Sequence, residues 1–447
     1  MPIYALVDGN SFYASCQIAF QPHLKNRPVV VLSNNDGCIV AANDIAKALD
    51  TPKNYGTGGY RAAKPTSMMF QPYFKVAALL KRHKAVIFSS NYELYQDMSQ
   101  RMHAISAQFS DSQEIYSIDE SFLDFSGLTP MQREQQAQQL KQRVMQWIGI
   151  PVAVGIGRTK TEAKLANHLA KKLPTQNGVM DLTEFDPSAR ALLYKKTPVD
   201  KVWGIGRQVS TRLQQIGINT VYDLQNADNK TLRKCFSVNL ERTIRELNGQ
   251  ACFALQQTPQ AKKSIVSSRS FGLLVDDFQQ MRQAVSSYMA IAAEKLRHQQ
   301  HLCRVVSVYI STPKHQAVAQ YRNQHSIALV EPSDNTIVLN KMALTALKEI
   351  WRPEFKYQKA AVMLSGLLPD SGIQADLFGE PVMTSQTQAE TSAKLMQTID
   401  QINRKMGKKT LQLASCGQGK TAWQMKRNLI SPRYTTRWPE IPVAKAN

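Results

Sequence analysis

Apolar residues recur along this chain at two spacings, and the changes between them outline its elements. Ile3–Val7 is a short apolar run ending at Asp8, which predicts a buried strand. Val29–Leu32 and Cys38–Ala42 are β-rich runs on either side of Asn34-Asn35-Asp36-Gly37, a hairpin turn signal. Ala85–Phe88 predicts a further strand. It is followed by a helix in which Leu94, Met98, Met102 and Ile105 recur at helical spacing. Glu114–Ile118 and Phe122–Phe125 read as strands flanking Asp119-Glu120. Ala137, Leu140, Val144 and Ile148 mark one helix face, Val152–Ile156 a strand, and Thr161–Lys172 a basic helix. This order predicts an antiparallel sheet with helices on one face, the α+β class rather than a doubly wound sheet.

From Pro174 to Gly249 the pattern becomes all-helical with glycine breaks. Gln256–Lys263 is polar, contains Pro259 and reads as a linker. A second α/β unit follows: strand Ile265–Phe271, helix Phe278–His298, strands Val305–Thr312 and Ser326–Leu329, helix Lys341–Trp351 and strand Ala360–Leu367. In outline this is βαββαβ. From Pro369 the chain turns polar and then basic, with a short apolar stripe at Leu395, Ile399, Ile402 and Met406.

Composition narrows the function. The 447 residues allow three to four domains at about 100–200 residues each. Lys and Arg number 55 against 34 Asp and Glu, a net charge of +21 that points to a polyanionic partner. Six scattered cysteines form no CxxC pair, which argues against a zinc site or a disulfide framework. His298 and His301 lack a second ligand pair nearby in sequence and read as the cap of a charged helix end. The opening residues lack a basic leader, and no run approaches the roughly 18 apolar residues of a membrane span. A reduced, cytoplasmic protein with no membrane partner is expected.

The chemistry sits at three carboxylates. Asp8 ends one strand, and Asp119-Glu120 lies between two others. Phosphoryl transfer from a nucleoside triphosphate uses two cations to steady the attacking and leaving oxygens, and Mg²⁺ prefers hard carboxylate oxygens. Three carboxylates from adjacent sheet ends are the minimum scaffold for such a pair. Neighbouring residues of a strand point to opposite faces, so a turn or bulge at Asp119-Glu120 is needed to aim both at one site.

VDGNSFYASC (Val7–Cys16) and YSIDESFLDF (Tyr116–Phe125) resemble the two metal-binding motifs of the Y-family, translesion DNA polymerases. The resemblance continues through Asn34–Leu49, Val152–Lys172, Val202–Ile218, Ser267–Gly272 and Trp423–Trp438, nearly the whole chain. The last segment narrows it to UmuC-type proteins, the catalytic subunit of bacterial DNA polymerase V. The resemblance implies an α+β multidomain right-hand polymerase. Residues 1–11 and 74–172 would form a ferredoxin-like palm and 12–73 small fingers. Residues 173–250 would form a helical thumb with a helix-hairpin-helix, 264–367 a βαββαβ little finger, and 368–447 a partner-binding region.

It also assigns roles. Asp8, the Gly9 carbonyl, Asp119 and Glu120 would bind two Mg²⁺, with Glu120 nearest the primer 3′-hydroxyl. Phe12 and Tyr13 would contact the incoming dNTP, Tyr13 as a steric gate under the deoxyribose. Lys47 and Lys164 would meet the triphosphate. Asp44 departs from the pattern, standing where many relatives place a phosphate-binding tyrosine, and an ionised carboxylate cannot donate to phosphate. Gly204, Gly206 and Gly217 would let the hairpin backbone approach a DNA phosphate. Lys262, Lys263, Arg269 and Arg304 are candidate phosphate contacts on primer-template DNA. Gln374, Leu377 and Phe378 resemble a motif for the β sliding clamp. UmuC-type proteins also imply a processed UmuD-type dimer and RecA as partners, and the basic, aromatic tail could equally bind single-stranded DNA. Competing readings are a stand-alone DinB-type polymerase, a catalytically silent DNA-bound scaffold and a nucleotide cyclase.

Overall fold

The computed structural model describes residues 2–49, 67–258, 261–313, 319–370, 386–419 and 423–443. They fall into two compact units, Met1–Pro259 with Asn428–Asn447, and Gln260–Arg427.

The first unit opens with strand β1 (Tyr4–Gly9) and helix α1 (Phe12–Phe20). Strands β2 (Val29–Leu32) and β3 (Ile39–Ala42) follow, then helices α2 (Asp44–Lys47) and α3 (Tyr73–Arg82), strand β4 (Val86–Ser89) and helix α4 (Tyr92–Ser106). Strands β5 (Gln113–Ile115) and β6 (Glu120–Asp124) precede helix α5 (Pro130–Ile148), strand β7 (Val152–Gly157) and helix α6 (Lys160–Lys172). Strand β8 (Val179–Asp181) leads to helices α7 (Pro187–Lys196), α8 (Arg207–Gln215), α9 (Val221–Gln225), α10 (Asn229–Cys235) and α11 (Val238–Leu247).

The main sheet runs β5-β6-β1-β7-β8, antiparallel except for the parallel β7–β8 pair. Helices cover both of its faces, not one as the sequence suggested. Ala5, Val7, Leu123, Val152 and Val154 pack with α4 and α5, while Tyr4, Leu6 and Phe122 pack with Ala163 of α6. The reason lies in β1, whose Tyr-Ala-Leu-Val run is buried at every position and needs cover on each side. Gly155 makes the close approach of α6 possible, since a Cβ there would stand 2.1 Å from the Asn167 backbone nitrogen. Asn167 in turn donates to the Ala153 carbonyl at 2.8 Å. Helix α5 has clear ends: Thr129 and Gln132 form a capping box, and Gly149 closes it at φ 69°.

Two further placements differ from the sequence reading. Val86–Ser89 pairs in parallel with β2 in a small sheet, β3-β2-β4, instead of joining the main sheet. Val179–Asp181 is a strand inside a segment that reads as all-helical; with only three residues it leaves no period to detect. Beyond it, Leu182, Tyr194, Leu213, Leu224 and Ile244 make a separate helical core, which Leu165 and Leu169 of α6 join.

The second unit comprises β9 (Ser264–Val275), α12 (Phe278–His298), β10 (His301–Ser311), β11 (Arg322–Ser333), α13 (Thr336–Ile350), β12 (Tyr357–Pro369) and α14 (Gln386–Met406). Its sheet is antiparallel in the order β11-β10-β12-β9, the βαββαβ pattern that periodicity predicts. His298 ends α12 and His301 begins β10. Helix α14 buries Met396, while Leu395 and Met406 of the expected stripe are exposed. Ile399 and Ile402 of the stripe are half-buried, and Asp400, one turn beyond Met396, pairs with Arg297 at 2.7 Å. Trp423, expected in a DNA-binding or partner-binding tail, is instead buried edge-on against Tyr288 at 5.9 Å.

The chain then returns to the first unit. Ser89 N–H donates to the Leu429 carbonyl at 2.9 Å, and Asn428 N–H donates to Asp36 at 3.1 Å. Asn91, fully buried, donates through Nδ2 to Ser431 at 3.1 Å and Pro432 at 3.3 Å. Tyr434 stacks on Phe20 at 4.7 Å and accepts from Gln21 at 2.8 Å. Arg433 and Arg437 engage Glu440, whereas Trp438 is exposed.

Candidate active site

The three carboxylates meet at one corner of the main sheet. Residues of β1 and β6 pair antiparallel so that Asp8 lies opposite Glu120. Asp119 sits in the turn just before β6, and Gly9 N–H donates to its carbonyl at 2.8 Å. That turn supplies the change of direction which two neighbouring acids need to share a site. Ser117 holds it: its Oγ donates to Asp119 Oδ1 at 2.7 Å and accepts from the Asp119 and Glu120 backbone nitrogens at 3.2 and 3.1 Å. Behind the turn, the buried His103 places Nε2 3.1 Å from the Ser117 carbonyl, and burial lowers its pKa.

Each carboxylate faces its own partner. Lys171 lies 2.7 Å from Asp8, Lys164 lies 2.7 Å from Glu120, and Ser117 engages Asp119. Among the described residues no three carboxylate, imidazole or thiol groups stand as a ready-made cation cage. The donor set nevertheless fits a hard divalent cation. It offers carboxylate oxygens on adjacent strands, two of which already hold positive charge. Burial pushes the Asp8 carboxyl up to about 6, Lys171 pulls it down, and Glu120 and Asp119 push it up again.

The next residues form a wall. Phe12 is buried in the core, and Tyr13 stacks on Tyr95 at 4.4 Å with Tyr92 edge-on at 6.1 Å. The Tyr95 hydroxyl accepts from Gln17 at 2.9 Å, so the stack is fixed from behind. Ser11 enters α1 in the left-handed region at φ 48°, and its Oγ accepts from Lys47 at 2.6 Å. Lys47 also pairs with Asp44 at 3.1 Å, so the departure at position 44 lies in contact with an expected phosphate ligand.

Lys164 is more enclosed than a solvated lysine. Its ammonium lies 4.3 Å from the Tyr116 ring centre, 5.5 Å from Trp203 and 5.9 Å from Phe122. Lys171, Ser117 and Trp203 are absent from the sequence-derived site. Lys171 could have been found, because it lies two helical turns beyond Lys164 on α6. Ser117 lies two residues before Asp119, a local spacing that could have marked it, whereas Trp203 could not have been found, since it acts through contacts between separate elements.

The expected DNA contacts are dispersed. Gly204, Gly206 and Gly217 are exposed, with Gly204 at φ 82° and Gly217 at φ 87°. Gly206 precedes α8 without a side-chain cap, and its backbone is open to solvent. In the second unit Lys262 and Lys263 are exposed and Arg269 is half-buried on β9. Burial lowers the Lys295 pKa, and Arg269, Lys262 and Lys408 add to it, which marks a basic cluster. Gln374, Leu377 and Phe378 lie outside the described residues.

Comparison with known proteins places most of the chain in one family. Residues 7–168 match the impB/mucB/samB family, 262–377 match that family's C-terminal domain, and 393–444 match a domain of unknown function, DUF4113. Protein UmuC of Salmonella typhimurium is 42% identical, across 98% of this chain and 99% of its own. The chain belongs to the impB/mucB/samB family. Protein MucB of Escherichia coli, another member, is 44% identical across 99% of both chains. A Y-family DNA polymerase chimera superposes with a TM-score of 0.61 at 19% identity, covering 82% of this chain and 99% of its own, and so shares the fold. This impB/mucB/samB member is a DNA-directed DNA polymerase of the error-prone translesion type, dependent on divalent metal. Among the described residues no helix is long and apolar enough to cross a membrane.

Proposed function

We propose that the chain extends a primer across damaged template DNA, with two Mg²⁺ held by Asp8, the Gly9 carbonyl, Asp119 and Glu120. The observation that carries this reading is the register placing Asp8 opposite Glu120, with Gly9 tied to the Asp119 turn. When bound, the two cations steady the attacking and leaving oxygens of nucleotidyl transfer. Asp8 would give up its Lys171 partner to such an ion. Lys171, released from Asp8, and Lys47 then face the triphosphate of the incoming dNTP as compact point charges. Tyr13, braced by Tyr95, presents a ring that a ribose 2′-hydroxyl would strike.

Primer-template DNA is gripped through phosphates by the Gly204–Gly206 hairpin with Gly217, and by Lys262, Lys263 and Arg269. Contacts of this kind do not read sequence and weaken steeply with salt. The β sliding clamp engages Gln374, Leu377 and Phe378, two apolar anchors beside a hydrogen-bonding amide. A processed UmuD-type dimer and RecA complete the active assembly. The test is primer extension past a lesion by the full chain, alone and with clamp, UmuD-type partner and RecA. Full activity alone removes the partner requirement, and no activity in any mixture overturns the polymerase reading. Replacing Tyr13 by Ala should admit ribonucleotides; unchanged discrimination places the gate elsewhere.

A further inference from the structure

Lys164 stands in the most aromatic surroundings of any site lysine. Tyr116 comes from the turn before β6, Phe122 from β6 itself, and Trp203 from the loop before α8. Their ring centres lie 4.3, 5.9 and 5.5 Å from its ammonium. The rings are locked to one another. Trp203 Nε1 donates to the Tyr116 hydroxyl at 3.1 Å, and the two rings meet edge to face at 5.5 Å. Phe253 braces Trp203 from outside at 5.4 Å. A cation against aromatic faces is held electrostatically, more strongly as water is excluded. The Lys164 side chain is only 16% exposed, and its ammonium lies 2.7 Å from Glu120 Oε1.

We propose that Tyr116, Phe122 and Trp203 form an aromatic box that pins the Lys164 ammonium against Glu120. Lys164 is then a positioning residue for that carboxylate and a standing competitor of the divalent cation there, not a hand for the triphosphate. The proposal rests on the reading of Glu120 as a metal-holding carboxylate. Two consequences follow from charge and geometry. With one oxygen held by Lys164, Glu120 presents the other in a fixed direction. A fixed positive charge beside Glu120 also repels an incoming cation and weakens its binding.

Loss of the box therefore has an unusual signature: tighter metal binding with slower turnover. A residue that merely supports the fold would weaken both when removed. The experiment is Mn²⁺ binding to the full chain, followed by the electron paramagnetic resonance of free Mn²⁺, beside steady-state primer extension. Lys164→Gln and Trp203→Ala should bind Mn²⁺ roughly three- to tenfold more tightly. Their kcat should fall by about tenfold, with KM for dNTP within about twofold of the wild type. Trp203→Phe restores a ring and should recover most of the difference. Because Trp203→Ala removes a braced ring and could fail to fold, Tyr116→Leu provides a second arm; Tyr116 is exposed, so no core opens.

Unchanged Mn²⁺ affinity in both Tyr116→Leu and Trp203→Ala overturns the role of the aromatic box, and unchanged affinity in Lys164→Gln overturns the proposal. So does a raised KM for dNTP with unchanged Mn²⁺ affinity in Lys164→Gln, which would return the lysine to the triphosphate. Weaker Mn²⁺ binding in Lys164→Gln overturns the competition. Glu120→Gln tests the underlying reading separately. Unchanged Mn²⁺ binding there overturns the metal assignment, whereas loss there with wild-type behaviour in the box variants overturns the box alone.

Discussion

The carboxylate corner and the returning tail are both built on the first unit, by opposite means. At the corner, backbone pairing between strands distant in sequence brings carboxylates together: Asp8 and Glu120 face each other in register, and Asp119 sits in the turn beside them. At the tail, common polar groups join residues far apart in sequence. Asn91 reaches Ser431, Ser89 pairs with Leu429, and Gln21 meets Tyr434. The corner derives its identity from side-chain chemistry and the tail from geometry. A carboxylate cluster must be explained wherever it occurs, whereas an amide that reaches a backbone carbonyl leaves no mark in the sequence.

The largest test of this contrast strikes the corner. Asp119→Ala or Glu120→Ala should reduce primer extension by about a thousandfold or more while DNA binding is largely kept. Gel-shift and extension assays on the same preparations check it, and retained synthesis in either variant would sink the assignment. Next comes the tail. Asn91→Asp keeps the oxygen that caps α4 at Leu94 but sets a second acceptor against the Ser431 and Pro432 carbonyls. The expected loss is about 2 kcal/mol or more, the cost of a buried group without its partner. Hydrogen exchange should rise in 428–443 before it rises in the main sheet; equal protection would show that the tail is not held through Asn91.

A smaller effect lies in pH. The Asp8 carboxyl stands at about 6, above its ordinary value, so in metal-free protein its protonated form is favoured below that point. Protons then compete with the cation. The Mg²⁺ concentration giving half-maximal rate should be flat above about pH 7 and rise as pH falls through about 6. A flat profile down to about pH 5 would mean that Asp8 stays ionised there in the metal-free site, with Lys171 outweighing burial. The smallest effect concerns Asp44, whose exposed carboxylate holds Lys47. Asp44→Asn should lower KM for dNTP by about twofold, in keeping with the weak energy of surface pairs. A raised KM would assign Asp44 a direct role.

Much of the fold was legible because its elements are long and periodic. The helix Tyr92–Ser106 buries Leu94, Met98, Met102 and Ile105, and Pro130–Ile148 buries Ala137, Leu140 and Val144, positions that their spacing marks, with Ile148 half-buried. What failed was short or set from outside. Val179–Asp181 is too brief to show a period, and the pairing of Val86–Ser89 with β2 depends on which sheet accepts it. In α14 the buried residue is Met396, which lies beside the expected stripe, and of that stripe only Ile399 and Ile402 are half-buried.

At the site, the sequence by itself offered carboxylates of the type a hard cation takes, and its resemblance to the Y-family polymerases singled out Asp8, Asp119, Glu120 and Tyr13. It also marked a basic protein and the outline of two α/β units. Only the tertiary structure decided what those residues touch. It placed Lys171 on Asp8, enclosed Lys164 among rings from β6, the turn before it and the loop before α8, and set Asp44 on Lys47. It alone returned the tail to Asn91. The physical reason is that composition and spacing encode what a side chain can do, whereas partners are chosen by distances between elements that no local pattern records.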